Sequence, residues 1–169
     1  WIEVATFRCD EGYTDGRHPD RVRPGSIEED TQRRDFTING MFLDPETNQV
    51  VDLVGGKSDL ENRIIRAIGQ PAQRFDEDHL RMLRAVRFAA QLEDFQIEEQ
   101  TAQAIKTLAP QIRKISAERI LDELKKILLS PGRTLGIELA DQLGLLEHIL
   151  PQVHALHDQP AKSFTGQPL

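Results

Sequence analysis

The chain has 169 residues, 29% of them charged, and a formal net charge of −7. That length makes one or two small domains with a real core, and the acidic balance argues against a non-specific coat for nucleic acid. It leaves room for a local basic groove, because arginines cluster at 17–34 and again at 63–87. A lone cysteine, Cys9, rules out an internal disulfide and a cysteine zinc cluster. No apolar run approaches the length of a membrane span and no signal-peptide pattern is present, so a soluble cytoplasmic protein is expected. The chain opens on Trp1-Ile2-Glu3, without an initiator methionine and straight into an alternating pattern. It is expected to be the interior of a longer protein.

Residues 1–8 alternate like a half-buried strand, with Ile2, Val4 and Thr6 on one face. Residues 9–30 are rich in Gly, Pro and charge and read as a loop. A short helix or turn over 31–43 leads into a strand at 41–43, and Asp44-Pro45-Glu46-Thr47-Asn48 turns the chain into a second strand at 49–52. Gly55-Gly56 breaks the pattern. Everything after it is expected to be helical, apart from an apolar connector at 65–68.

The helical part begins with a short helix over 59–64, followed by a helix over 76–91. A further helix spans 97–108, and Ser116 caps another whose buried face is Ile120, Leu124, Ile127 and Leu128. Two more helices lie on either side of Gly144.

The stretch Arg74–Phe88 is the most informative. On a helix, Asp78, Arg81, Arg84 and Arg87 recur every three residues and form a slanting row whose neighbours can touch. For an ordinary helix such a row is a solvated, salt-bridged face. The chemistry offers a second reading. An Asp that accepts beside an Arg that donates complements cytosine, with its amino donor and ring-nitrogen acceptor, and adenine presents the same order. Uracil and guanine present the reverse and would bury unsatisfied groups. The remaining arginines suit phosphate, which a guanidinium fork holds through two hydrogen bonds.

Four segments occur in order: Ile2-Glu3-Val4-Ala5-Thr6-Phe7-Arg8; Arg33-Arg34-Asp35-Phe36-Thr37-Ile38-Asn39; Asp52-Leu53-Val54-Gly55-Gly56 with Asp59-Leu60; and the Arg74–Phe88 stretch trailed by Ser116-Ala117-Glu118-Arg119. Together they resemble the tRNA nucleotidyltransferase/bacterial poly(A) polymerase family, the bacterial-type CCA-adding enzymes, over roughly residues 2–128. The resemblance implies an α+β fold: the C-terminal part of a polymerase-β-like nucleotidyltransferase head (1–55), an all-α neck that recognises the base (56–130) and the start of a helical body (131–169).

The resemblance also implies roles. Asp78 and Arg81 match the amino-acid template for the incoming base, and Arg84, Arg87 and Arg34 match arginines of the nucleotide site. Asp35 and Asn39 shape the ribose pocket or serve the structure. Asp52, Gly55 and Gly56 match a head–neck hinge or form a plain turn, and Glu118 and Arg119 brace the template helix. The implied reaction is template-independent addition of C and/or A from CTP and ATP to the 3′ end of tRNA, with Mg2+ as the metal. Poly(A) polymerase activity on general RNA 3′ ends and a non-catalytic RNA-binding module are the alternatives. A plain helical interaction domain is a further one.

Departures from the family pattern matter too. The family's Asp-x-Asp metal motif and the Gly-rich turn before it are not in this sequence. Glu3 resembles a third metal carboxylate of the wider superfamily and is the one catalytic and metal candidate here; a surface strand residue is the other reading. These residues alone are expected to bind nucleotide weakly and to catalyse nothing. His148, His154 and the His157-Asp158 pair are expected to be surface histidines rather than a metal centre.

Overall fold

A computed structural model describes residues 4–12 and 20–158. Within it the strand expected over 1–8 begins instead at Arg8: strand β1 (Arg8–Glu11) pairs antiparallel with β2 (Arg21–Pro24), Arg8 facing Pro24 and Glu11 facing Arg21. Residues 4–7 are not strand, and Val4, expected to face inward, is exposed. The reason is partnering. A strand needs a neighbour for its backbone groups, and 21–24 reaches only 8–11. Ile2 and Glu3 lie outside the described residues.

The segment expected to be loop therefore holds a hairpin, and a helix follows it. Ser26 starts α1 (Ile27–Gln32) with a full capping box: its hydroxyl accepts the Glu29 N–H, and the Glu29 carboxylate accepts the Ser26 N–H at 2.9 Å. After a 3-10 turn at Thr37–Asn39, strands β3 (Met41–Leu43) and β4 (Val50–Asp52) form the expected hairpin.

Gly55 takes φ +77°, which opens helix α2 (Gly56–Glu61). The Asp52 carboxylate accepts the N–H groups of Val54, Gly56 and Lys57 at 2.9–3.1 Å, so this is a tight turn around one carboxylate. Gly56 lies against the next layer, where a Cβ would meet the Thr37 carbonyl oxygen at 2.2 Å.

The connector at 65–68 is partly strand. β5 (Ile64–Ile65) pairs parallel with β6 (Gln96–Ile97), and Phe36 bridges to Ala67. The Phe36–Ala67 bridge ties the segment before Gly55 to the part after it.

The helix expected over 76–91 is broken, and two helices stand across the stretch from Arg74 to Phe88. α3 (Pro71–Glu77) ends at Asp78, whose φ −151° and ψ 103° are extended, and α4 (Leu80–Gln91) begins after His79. The Asp78 Oδ1 accepts the Leu80 N–H at 3.1 Å. A short carboxylate that bonds backbone nearby competes with helix and favours its ends. α4 is the hub: Met82, Leu83, Ala85 and Val86 are fully buried.

Helix α5 (Glu99–Leu108) packs on α3, and α6 (Ala117–Leu128) and α7 (Arg133–Gln142) pack on α4, followed by α8 (Leu146–Ile149) and α9 (Pro151–His154). Pro151, which lacks an N–H, splits the last expected helix. Leu124 and Ile127 of α6 face the core as expected, whereas Leu128 is half exposed because it lies one position round from Ile127. No helix among the described residues is long and apolar enough to cross a membrane.

Candidate nucleotide site

The break between α3 and α4, the C-terminal end of α1 and the 3-10 turn converge on one cavity of about 470 Å³. Eight of its nine lining residues are polar: Arg33, Arg34, Asp35, Asn39, Asp78, Arg81, Arg84 and Arg119, with Leu80 the exception. Five arginines against two aspartates make it locally cationic in a chain of net charge −7. The volume falls within the roughly 300–1,000 Å³ of small-ligand clefts, and a cationic, walled cleft concentrates anions.

Each expected residue is held in a different way. Asp35 is buried and is the hub of one side. Its Oδ1 accepts the Phe36 N–H at 2.9 Å and the Asn39 side-chain amide at 3.1 Å, and its Oδ2 accepts Arg84 Nε at 2.8 Å. Arg34 donates to the Asn39 carbonyl at 2.7 Å and lies over the Phe42 ring, 4.4 Å from its centroid.

Arg81 caps two helices at once. Its Nη1 donates to the Arg74 carbonyl at 3.0 Å and to Glu77 at 2.8 Å, and its Nη2 donates to the Arg33 carbonyl at 2.9 Å. Those carbonyls sit at the ends of α3 and α1, where intrahelical donors run out. Among the described residues, its Nε–H and one Nη2–H are left for a ligand. Asp78 binds Arg119 Nη2 at 2.8 Å and the Leu80 N–H. A carboxylate has about four acceptor positions, so Asp78 keeps capacity for a donor in the cavity.

Asp78 and Arg81 thus line one cavity although the extended backbone at Asp78 takes it off the helix, and they are joined there by the Arg81 N–H, which donates to the Asp78 carbonyl at 3.0 Å. Arg87 stands apart. It does not line the cavity; it is buried against Glu123 of α6, with Gln91 at 2.7 Å and the Phe88 ring at 4.0 Å. Three-residue spacing rotates about 300° per step on an α-helix, so by Arg87 the row has drifted round to the α6 side.

Two polar lining residues, Arg33 and Arg119, carried no binding role in the sequence reading. Arg33 adjoins Arg34, and that doublet was its one available signal; Arg119 comes from 41 positions beyond Asp78 and needs the packing of α6 on α4. Glu3, the catalytic and metal candidate, lies outside the described residues. Among those described, no three His, Cys, Asp or Glu side chains stand together as a metal site. His148 is not a surface histidine: its side chain is 9% exposed, with Nδ1 3.0 Å from Arg113 and Nε2 3.0 Å from Glu147. His154 bonds Asp141 at 2.7 Å.

Comparison with known proteins supplies the frame for this cavity. Residues 1–66 match the family model of the poly A polymerase head domain, and residues 94–156 match the probable RNA- and SrmB-binding site of polymerase A. The CCA-adding enzyme of Streptococcus sanguinis is 49% identical over 148 residues, covering 87% of this chain and 37% of that protein. The CCA-adding enzyme of Enterococcus faecalis is 51% identical over 136 residues, covering 80% of this chain and 33% of that one. The chain therefore spans about a third of the length of the curated relatives it matches.

Among solved structures, the Bacillus stearothermophilus CCA-adding enzyme in complex with CTP superposes with TM-score 0.75 at 39% identity, over 84% of this chain and 33% of that one. The Thermotoga maritima CCA-adding enzyme complexed with tRNA superposes with TM-score 0.68 at 30% identity, over 82% of this chain and 33% of that one. On motifs, fold and relatives alike, the chain belongs to the tRNA nucleotidyltransferase/poly(A) polymerase family.

Proposed function

We propose that this chain carries the nucleotide-recognition part of a cytoplasmic enzyme that adds C and A, without a nucleic-acid template, to the 3′ end of tRNA. The observation that carries the reading is the cationic cavity in which Asp78 and Arg81 face the same space as Arg34 and Arg84. Asp78 accepts from the exocyclic amino group of cytosine or adenine and Arg81 donates to the adjacent ring nitrogen. Uracil and guanine would set acceptor against acceptor there. Arg34 and Arg84 hold the triphosphate of CTP or ATP, and Asp35 with Asn39 forms the ribose side. Arg87 enters through Phe88, whose ring lies under both Arg87 and Arg84.

In this reading 1–55 is the remaining part of a head, 56–130 a neck and 131–169 the start of a body. A divalent metal, magnesium, would supply charge neutralisation at the triphosphate and the attacking hydroxyl. The described residues form no ligand set for it, and Glu3 is the candidate proposed for that role. What the described residues contribute is binding and orientation, which in phosphoryl chemistry is a large share of catalysis.

The test replaces the matching segment of the Streptococcus sanguinis relative with this chain. The chimera is offered tRNA lacking its last three nucleotides, with each labelled nucleotide in turn and then in pairs. Incorporation of C and then A, stopping at three, is expected. Continued growth of an A tail would move the assignment to poly(A) polymerase. A folded chimera that incorporates nothing would leave RNA binding as the function.

A further inference from the structure

Outside the cavity, one buried carboxylate holds two of the five arginines that line it. Asp30, in the last turn of α1, is 2% exposed. Its Oδ1 accepts Arg33 Nη2 at 2.6 Å and Arg33 Nε at 2.9 Å, and its Oδ2 accepts Arg34 Nε at 3.1 Å with Arg34 Nη2 at 3.0 Å. Oδ1 also takes the backbone N–H of Arg8, the first residue of β1, at 3.3 Å. Both arginines line the cavity and Asp30 does not. The Arg33 carbonyl in turn accepts Arg81 Nη2. One carboxylate therefore fixes Arg34 directly and the backbone that receives Arg81 indirectly.

We propose that Asp30 is a positioning residue for the nucleotide site: it aims the Arg34 guanidinium at the cavity and fixes the C-terminal end of α1, against which Arg81 is set. The inference rests on the reading of the cavity as a nucleotide site. Its physical basis is preorganisation. A free arginine side chain gives up much rotamer entropy when it grips a phosphate. Here Arg34 is fixed beforehand by three contacts, to Asp30, to the Asn39 carbonyl and to the Phe42 ring. Only the first carries opposite charge, and it is shielded from water, where such a bond is strong. Arg34 keeps one-third of its side chain exposed, so it is held and still reachable.

A carboxylate buried between two guanidiniums could instead serve stability alone, and a double-mutant cycle separates the two roles. ATP and CTP binding to the full chain is measured by titration calorimetry for the wild type, Asp30→Asn, Arg34→Met and the double variant. If Asp30 acts in part through Arg34, each single change weakens binding by about tenfold and the double variant loses clearly less than the product of the two single losses. Losses that multiply in the double variant, or an Asp30→Asn chain that binds as the wild type does, overturn the inference and leave the nucleotide site standing. A wild-type chain that binds neither nucleotide overturns both. Should Asp30→Asn fail to fold, the cycle is run in an Arg33→Met background, where loss of the carboxylate strands one guanidinium instead of two.

Discussion

Arg119 Nη2 on α6 meets Asp78 Oδ2 at 2.8 Å across the break between α3 and α4. The contact reaches a residue whose backbone has left the helix, so one Asp78 oxygen is fixed from a distant helix while the other is held by the Leu80 N–H. Asp78 and Arg81 then occupy one cavity by different routes: Asp78 through α6, Arg81 through the carbonyl ends of α1 and α3.

That arrangement predicts separable effects on nucleotide choice. Arg81→Ala removes the donor to the base, so preference for C and A over U and G falls by about fivefold or more, since a good two-bond base contact discriminates by about 1–3 kcal/mol. Arg119→Met leaves both base-facing groups in place but frees Asp78, and preference falls by a smaller factor. Competition among the four labelled nucleotides in the chimera checks both. Reduced rate with unchanged selectivity would count against the base-reading role.

Glu123 and Arg87 form the ionic pair between α4 and α6, with Lys126 2.8 Å from the other Glu123 oxygen. Glu123→Ala leaves Arg87 buried without its charge partner and is expected to cost about 3–5 kcal/mol. The double change Arg87→Met with Glu123→Leu should recover most of that loss. Urea unfolding midpoints of the three chains measure it.

The two glycines after β4 differ in why they are glycine. Gly56→Ala drives a Cβ onto the Thr37 carbonyl oxygen, which belongs to a 3-10 turn that cannot move aside freely, and is expected to cost about 1–3 kcal/mol. Gly55→Ala meets open space and costs only the left-handed backbone conformation, about 1 kcal/mol. Denaturant midpoints that ranked the two in the opposite order would refute this account.

Acid should unfold the chain through identifiable carboxylates. Burial raises the pKa of Asp30, but the hydrogen bonds from Arg33, Arg34 and the Arg8 amide outweigh it and leave the carboxyl below its ordinary value. Burial is likewise outweighed at Asp52 by the amides of Lys57, Gly56 and Val54, and at Glu123 by Lys126 and Arg87. Lowered groups contribute stability that is complete above their unfolded pKa, near 4, and lost as pH falls through the folded value. Thermal midpoints should therefore be flat from about pH 7 to 5 and drop below about 4. Asp52→Asn should melt lower at neutral pH and show a shallower acid limb.

The residues themselves determined a good deal. The β3–β4 hairpin follows from Asp44-Pro45-Glu46-Thr47-Asn48 between apolar runs, and α5, α6 and α7 follow from apolar spacing, because these are local effects. α1 is not among them: Gly, Pro and charge over 9–30 read as loop, and the structure is what shows Ser26 and Glu29 closing a capping box. The ordered motifs point to the family, and the Asp-plus-Arg chemistry to a base edge.

Tertiary structure decided the rest. The helix break at Asp78 had a signal in a residue type that favours helix starts, yet its placement depends on Arg119 from a distant helix. Arg87 keeps the three-residue spacing but faces Glu123, because helical rotation carries it away from the cavity and onto α6. Leu128 follows the apolar run and is half exposed, since only the packing of α4, α6 and α7 fixes which stripe is buried. Asp30 reads as one acid among 28. Burial between Arg33, Arg34 and the start of β1 is what sets it apart, and a partner 22 residues away is invisible to any local pattern.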